Sequence, residues 1–199
     1  MSWDRLALVQ GPQVDVLDLA TVKSQILYED TDQDALIGVY MKAAEEFVDG
    51  PTGIGRALIT QQWRLRMDNW PAAIQIPLGP VQSVDSITYV ALDGSTQTLD
   101  PATYIVDLDS DPATVTRQWS VAWPSPRLVK NSITVTFTAG FGDTADDVPV
   151  SIRQAMLLLV SHWFAHRDAV VGVENRDSST ELPMGVSALL DRWRAGSVA

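Results

Sequence analysis

The chain has 199 residues, of which 46% are hydrophobic and 20% charged, proportions typical of one packed globular domain with or without an extension. Its formal net charge of −11 argues against a protein that grips nucleic acid through a basic surface, because an acidic surface repels phosphate. The absence of cysteine excludes disulfides, thiolate metal sites and cysteine nucleophiles. No segment approaches the roughly 18 apolar residues of a membrane span, so we expect no membrane association.

Two helices are predicted near the N-terminus, after an extension over residues 1–15 that shows no useful periodicity. Asp18 stands at an N-cap position before apolar residues with helical spacing. A second helix is predicted over residues 33–49. It ends at Gly50-Pro51, because Gly adopts the left-handed cap and Pro cannot continue the hydrogen-bond ladder. Together the two helices are expected to form a helical hairpin.

The period then changes to that of strands. Trp63, Leu65 and Met67 alternate with polar residues, and the clearest strand is predicted over residues 131–139, where apolar residues alternate with threonines. Asp93-Gly94 is a strong signal for a tight turn. Further short strands are predicted at residues 74–76, 83–92, 95–99, 104–106 and 115–117. Many short strands with Pro and Gly turns predict an antiparallel meander, in which Trp63 and Trp70 pack the fold.

A long helix is predicted from Pro149 to about residue 167, followed by a polar loop and a short helix after Pro183. The predicted fold class is therefore α+β, a small helical bundle (N-terminal helical hairpin plus C-terminal long helix) with an inserted antiparallel β region. The expected organisation is an extension at 1–15, a helical core at 16–57 and 148–168, the β insertion at 58–147, and a C-terminal loop and short helix at 169–199.

The two histidines, His162 and His166, lie four residues apart on the third predicted helix, a spacing that can chelate a metal. The glutamate of the zinc metalloprotease pattern is absent, however, and no third ligand is evident. The simpler interpretation is a pair of histidines near the negative end of a helix dipole. A metal-dependent enzyme using these histidines and nearby acids is retained as a minor hypothesis.

Two acidic triplets have the alternate spacing that begins an EF-hand calcium loop, but both lack the glycine at position six and the glutamate at position twelve. Helix capping and solvated turns explain them better. The triplets are Asp30, Asp32 and Asp34, and Asp107, Asp109 and Asp111. Neither a phosphate loop nor a nucleophile elbow is present, so we expect no catalytic residue, no metal, no cofactor and no enzymatic activity.

The order of several landmarks over residues 16–194 resembles one family, the head–tail connector (adaptor) proteins of tailed bacteriophages and gene transfer agents. Each landmark is weak alone, but their order and spacing together are specific. The landmarks are Leu19-Ala20-Thr21-Val22-Lys23, Asp34-Ala35-Leu36-Ile37, Trp63, Trp70-Pro71, Pro80-Val81-Gln82-Ser83-Val84, Ile87-Thr88-Tyr89, Asp93-Gly94, Trp123-Pro124, Thr138-Ala139-Gly140-Phe141-Gly142, Val148-Pro149, Leu182-Pro183, Leu189-Leu190 and Arg194.

The resemblance implies a structural protein that forms a ring, usually of twelve copies, beneath the portal of a filled head. Such a ring extends the DNA channel and joins the head to a stopper or tail-terminator protein. The implied partners are thus further copies of the chain, the portal protein, the stopper or tail-terminator protein, and DNA that passes without sequence-specific binding. The implied location is the head–tail junction of a virion or phage-like particle made in the cytoplasm of a bacterial host.

In relatives the C-terminal segment reaches up to the portal. Carried onto this chain, the resemblance implies portal-binding residues at Leu182, Leu189, Leu190, Trp193 and Arg194. An equally weighted interpretation is that this helix folds back onto its own domain. The alternative function is a soluble ligand- or saccharide-binding module of a phage tail. Infectious phage, defective prophage and gene transfer agent are not distinguished by the sequence.

Overall fold

The computed structural model describes residues 5–166 and 184–196. Within them, the helices are α1 (Leu19–Ile26), α2 (Asp34–Val48), α3 (Val150–Ala165) and α4 (Met184–Leu190). The strands are β1 (Leu6–Gln10), β2 (Gln61–Met67), β3 (Ala73–Ile76), β4 (Val81–Val90), β5 (Thr96–Thr98), β6 (Tyr104–Asp107), β7 (Ala113–Arg117) and β8 (Ile133–Ala139). No helix among the described residues combines the length and apolarity needed to cross a bilayer.

The first helix begins at the predicted cap. The Asp18 carboxylate accepts hydrogen bonds from the Thr21 amide at 2.8 Å and the Thr21 hydroxyl at 2.6 Å. These bonds lower the pKa of Asp18 below its ordinary value of 3.8. Because the folded pKa is depressed, the cap contributes its full stability above that value and loses it as pH falls through the folded pKa.

The end of α2 is tied to the start of β2 by Asp49. Its carboxylate accepts a hydrogen bond from the Leu58 amide at 2.7 Å and two from the Gln61 side-chain amide at 3.1 and 3.0 Å. Burial raises the pKa of Asp49, while these hydrogen bonds oppose the rise. One side chain therefore joins the last turn of a helix to the first residues of a sheet.

Five strands form the larger sheet in the order β1-β2-β8-β4-β5, and all its pairings are antiparallel. At the centre, Val135 of β8 lies opposite Leu65 of β2 and Ile87 of β4. The strand β8 buries Ile133, Val135, Phe137 and Ala139 in alternation, as the sequence predicts. Its threonines lie on the other face, which is partly exposed.

The remaining strands form a second antiparallel sheet in the order β3-β7-β6. Buried residues of both sheets make up one hydrophobic cluster, to which β3 contributes Ile74 and Ile76 and β7 contributes Val115. Trp63 is buried in this cluster, and Trp70 stacks on Trp123 with ring centroids 4.8 Å apart. The prediction that Trp63 and Trp70 pack the fold is confirmed.

The four helices share a separate hydrophobic cluster with α3 at its centre. Helix α3 presents one fully buried face to it, formed by Ile152, Ala155, Met156, Leu159 and Val160. The cluster also takes in residues from the connection between α2 and β2, including Ile54 and Leu58. The helices thus pack on one another and on the segment that leads into the sheets.

The predicted architecture, a small helical bundle with an inserted antiparallel β region, is wrong. The strands form two sheets with a hydrophobic cluster of their own, and within the described residues the strand content (29%) nearly equals the helix content (31%). The predicted extension contains the strand β1, which pairs with β2. In the sequence, α1 and α2 lie between these two strands. The larger sheet is therefore not contained within a single insertion.

We expect Asp49→Ala to lower the free energy of unfolding by about 1–3 kcal/mol, because the Leu58 amide and the buried Gln61 side chain lose their shared acceptor. Urea unfolding monitored by tryptophan fluorescence measures this change. The matched control is Glu46→Ala, an exposed acid on the same helix, for which we expect a change within about 0.5 kcal/mol. Equal effects of the two substitutions would show that Asp49 is not a structural anchor.

Candidate functional site

The C-terminal segment, residues 184–196, folds back onto the helical cluster. Helix α4 packs against α3, with Val186 at 0% and Leu190 at 1% exposed. Leu189 is half-buried at the edge of the same cluster. The apolar residues of α4 are therefore occupied by the chain's own core.

A short 3-10 turn, Asp191–Trp193, follows α4 and contains Trp193, the one aromatic residue of residues 184–196. The Trp193 indole Nε1 donates to the Ser151 hydroxyl at 2.8 Å. Its ring meets Phe141 edge to face, with centroids 5.6 Å apart and planes at 90°. The Arg192 guanidinium lies 5.1 Å from the centroid of the same ring, a cation–π contact. Trp193 is thus held by α3, by the end of β8 and by its own neighbour.

Arg56 connects this segment to the β region. Its Nε donates to the Trp193 carbonyl at 3.0 Å, and its two Nη atoms donate to both oxygens of the Asp111 carboxylate. A fork of this kind fixes orientation as well as distance. Nearby, the Ala195 amide donates to the Ile54 carbonyl at 2.9 Å. We call this set of contacts the C-terminal joint, formed by Arg56, Asp111, Phe141, Trp193 and Ala195.

Beside the joint lies an open cleft of about 430 Å³, walled by the loop before β4 and the loop between β6 and β7. The Arg56–Asp111 pair occupies part of it, and Leu108, Phe141 and Trp193 supply apolar walls. The guanidinium and carboxylate satisfy each other across the cleft. Through Arg56, the arrangement holds together the segment before β2, the loop between β6 and β7 and the C-terminal segment. The residues that line the cleft include no general base placed next to a nucleophile.

The structure separates the predicted portal-binding residues by exposure. Leu190 is buried, Leu189 and Trp193 are half-buried, and Arg194 is exposed, with its Nε 3.1 Å from the Asp191 carboxylate. Leu182 lies outside the described residues. The role of these five residues in binding a portal stays a prediction.

The other candidate clusters have local partners. His166 Nδ1 lies 2.9 Å from the His162 carbonyl, and the two rings are 4.5 Å apart. Asp107 accepts hydrogen bonds from the amides of Asp109 and Ser110, which makes a turn. In residues 5–166 and 184–196, no three His, Cys, Asp or Glu side chains are grouped so as to hold a metal ion.

Sequence reasoning missed the residues of the joint. Within the glycine-rich run of residues 50–56, Arg56 is the one charged residue. A single cation in such a run is a weak signal for an anchor. In the sequence, its partner Asp111 stands out only as part of a calcium-like triplet, and nothing local connects two residues that are 55 positions apart.

The described residues thus define a two-sheet protein with a helical cluster and a C-terminal segment locked against both. Comparison with solved structures finds this fold in chains of gene transfer agent particles. A chain from the neck of an empty particle computed with C6 symmetry matches with a TM-score of 0.72 and 22% identity, over 98% of this chain and 97% of that chain. A chain from the virion of a native particle gives 0.75 and 23% over the same shares.

A chain from the neck of the native particle computed with C12 symmetry also matches, with a TM-score of 0.69 and 22% identity over 98% and 97% of the two chains. No protein-family model matches the sequence, and no curated protein matches it. At this level of identity, the likeness establishes a shared fold along nearly the whole of both chains.

We expect Arg56→Ala to loosen the C-terminal segment without unfolding the sheets, because it removes bonds from a charged donor to two separate parts of the chain. The expected loss is about 1–2 kcal/mol, or a 5- to 30-fold faster hydrogen exchange of the Ala195 amide. Hydrogen exchange read by mass spectrometry measures it. Arg194→Ala, which removes only an exposed pair, is the control and should leave exchange at Ala195 nearly unchanged. Equal exchange in the two variants would contradict the anchoring role of Arg56.

Proposed function

We propose that this chain is a structural head–tail connector (adaptor) protein of a tailed phage or phage-like particle, located at the head–tail junction. The observation that carries the proposal is the correspondence of fold with neck chains of gene transfer agent particles along nearly the full length of both. The order of the landmarks in the sequence supports it independently. Neither line of argument requires a catalytic group or a cofactor, and we propose none.

In this function the chain forms a ring, which we take to contain twelve copies, beneath the portal. The acidity of the protein suits such a ring, because twelve copies at −11 each carry −132 in total. Negative charge facing the lumen repels DNA phosphates, so DNA passes through the channel without adhering to it. The ring in turn offers a platform for a stopper or tail-terminator protein. The chain is made in the cytoplasm of the bacterial host before assembly.

The C-terminal segment is the proposed contact with the portal protein. The joint fixes the position of this segment on the subunit, because Leu190 is buried and Trp193 forms hydrogen bonds with both Arg56 and Ser151. Arg194 and Leu189, which keep exposed surface, are the described residues proposed to reach the portal, together with Leu182. Leu190 and Trp193 are proposed to support the contact by holding the segment in place.

The location is tested by removing the gene from a particle-producing strain. We expect DNA-filled heads that bear portals but no tails, and normal particles after the chain is supplied in trans. Antibody labelling of an epitope-tagged chain in complete particles should mark the head–tail joint. Labelling on tail fibres, or intact particles without the chain, would exclude the connector function and favour the alternative of a tail binding module.

The portal contact is tested with variants of the C-terminal segment. Deletion of the residues after Leu182 should weaken attachment to portal-bearing heads, but it also removes the buried Val186 and Leu190, so its folding is checked first. Arg194→Glu leaves the core intact and should weaken attachment about tenfold, because it reverses the charge of an exposed contact. Arg194→Lys keeps the charge and should retain most of the attachment. Co-sedimentation with purified heads measures attachment, and circular dichroism checks folding. Normal attachment by folded, truncated chain would refute the C-terminal assignment.

A further inference from the structure

Large apolar side chains are exposed at two places of opposite charge. Leu27 is 91% exposed, Trp119 is 90% exposed and Leu128 is 87% exposed, the three highest values among large apolar residues in the described part of the chain. Leu27 has acidic neighbours in the sequence, whereas Trp119 and Leu128 have basic ones. Exposed apolar groups next to complementary charges are typical of surfaces that are covered in an assembly.

The first of these places is basic. The stretch of residues 112–142 contains three basic residues and no acidic one, so it carries +3 and the remaining residues carry −14 to give the total of −11. Its exposed part, residues 117–130, contains all three: Arg117, Arg127 and Lys130. Among the described residues, Arg117 and Arg127 form no ion pair. We call residues 117–130 the basic loop.

Around Trp119 the basic loop forms an open groove of about 520 Å³. The groove is lined by Ile105 of the edge strand β6, which is 50% exposed, and by Arg117 and Val121. A large aromatic side chain with a flanking arginine is the composition most often found at the energetic centre of protein interfaces. The groove is shallow and lies on the surface, as a docking surface for another protein does.

The second place is acidic and lies at the turn between α1 and α2. Leu27 caps α1 in the left-handed conformation, with a φ of 54°, where Gly or Asn is usual. Its side chain is turned to solvent, and Glu29, Asp30 and Asp32, which follow it, are all exposed. An open groove of about 590 Å³ lies between Leu27, Glu29 and α1. We call residues 27–32 the acidic turn.

We propose that the basic loop of one copy of this chain docks on the acidic turn of the next copy. This proposal rests on the proposed ring function. A contact between two different surfaces of the same chain is heterologous, and repetition of a heterologous contact builds a ring when the rotation between copies closes. Copies that each carry −11 repel one another, so a contact between them is favoured where one copy presents a local surface of the opposite sign. The basic loop provides that surface, and it pairs Trp119 and Leu128 with Leu27.

DNA fits these observations less well as the occupant of the basic loop. Phosphates would satisfy Arg117 and Arg127, but they would leave the acidic turn and Leu27 uncovered. A second copy of the chain covers both places at once. Charge reversal distinguishes the two occupants. Making the basic loop acidic weakens binding of either occupant, but making the acidic turn basic restores binding only if the occupant is a second copy of the chain.

The contact is tested by cross-linking, which the absence of cysteine makes clean. A Gln118→Cys, Ser24→Cys double variant places one cysteine in each groove and keeps Trp119 and Leu27. Assembled on portal-bearing heads and mildly oxidised, it should give a ladder of dimers, trimers and higher species, whereas each single variant should give no species beyond dimers. The control pair, Gln118→Cys with Val39→Cys, places the second cysteine on α2 at a residue that is 62% exposed and should give no ladder.

Charge reversal supplies the second measurement. In the double-cysteine chain, Arg117→Glu with Arg127→Glu should reduce the ladder about tenfold, and Glu29→Lys with Asp30→Lys in the same chain should restore it. A chain that is attached at the neck but gives no ladder would overturn this contact while leaving the connector function intact. A ladder that concentrated, purified chain forms by itself would uphold the contact even if the chain were absent from necks. If Arg117→Glu with Arg127→Glu instead releases bound DNA, and Glu29→Lys with Asp30→Lys does not restore the ladder, DNA is the occupant of the basic loop and the proposal is overturned.

Discussion

The fold depends on one half-buried carboxylate at the junction between helix α2 and strand β2. Asp49 ends α2, and its oxygens accept hydrogen bonds from the Leu58 amide and the Gln61 side chain. Partial burial disfavours the charge of this carboxylate, and the N–H donors around it offset that cost. The bonds fix the start of β2 relative to the helical cluster. Because β2 pairs with both β1 and β8, the position of the larger sheet follows from this contact.

The segment after Asp49 also carries the joint, so helices, sheets and C-terminal segment all meet along one short stretch of chain. A side chain at Gly53 would place its Cβ 2.1 Å from the Val48 carbonyl oxygen, which explains why the turn requires glycine. The turn brings Ile54 into the helical cluster and Ala57 into the cluster between the sheets. Arg56, between them, holds the Trp193 carbonyl. The helices, the sheets and the C-terminal segment are therefore joined through residues 53–57.

Periodic elements were predictable from the sequence, because their signals are local. The alternation in β8 and the cap at Asp18 are examples. The strand β1 was missed because Leu6–Gln10 lies at the edge of its sheet and is not alternately buried. The division of the strands between two sheets could not be predicted, because pairing partners such as β3 and β7 are distant in the sequence. The alternation of residues in a strand does not indicate which other strand it pairs with. The joint was missed for the same reason, since Arg56 and Trp193 are 137 positions apart.

The net charge of −11 is unevenly distributed along the chain, because residues 112–142 carry +3 and the remaining residues carry −14. A uniformly acidic chain would keep DNA off the wall of a channel and would also keep copies of the chain apart. The proposed ring around DNA needs the first effect and must overcome the second. In the proposed contact between copies, three basic residues in an acid-free stretch, with exposed Trp119 among them, supply attraction while the rest of the chain keeps its excess of acid. Such attraction is short-ranged in physiological salt, where charges are screened beyond about 8 Å, so it would act only between copies that touch.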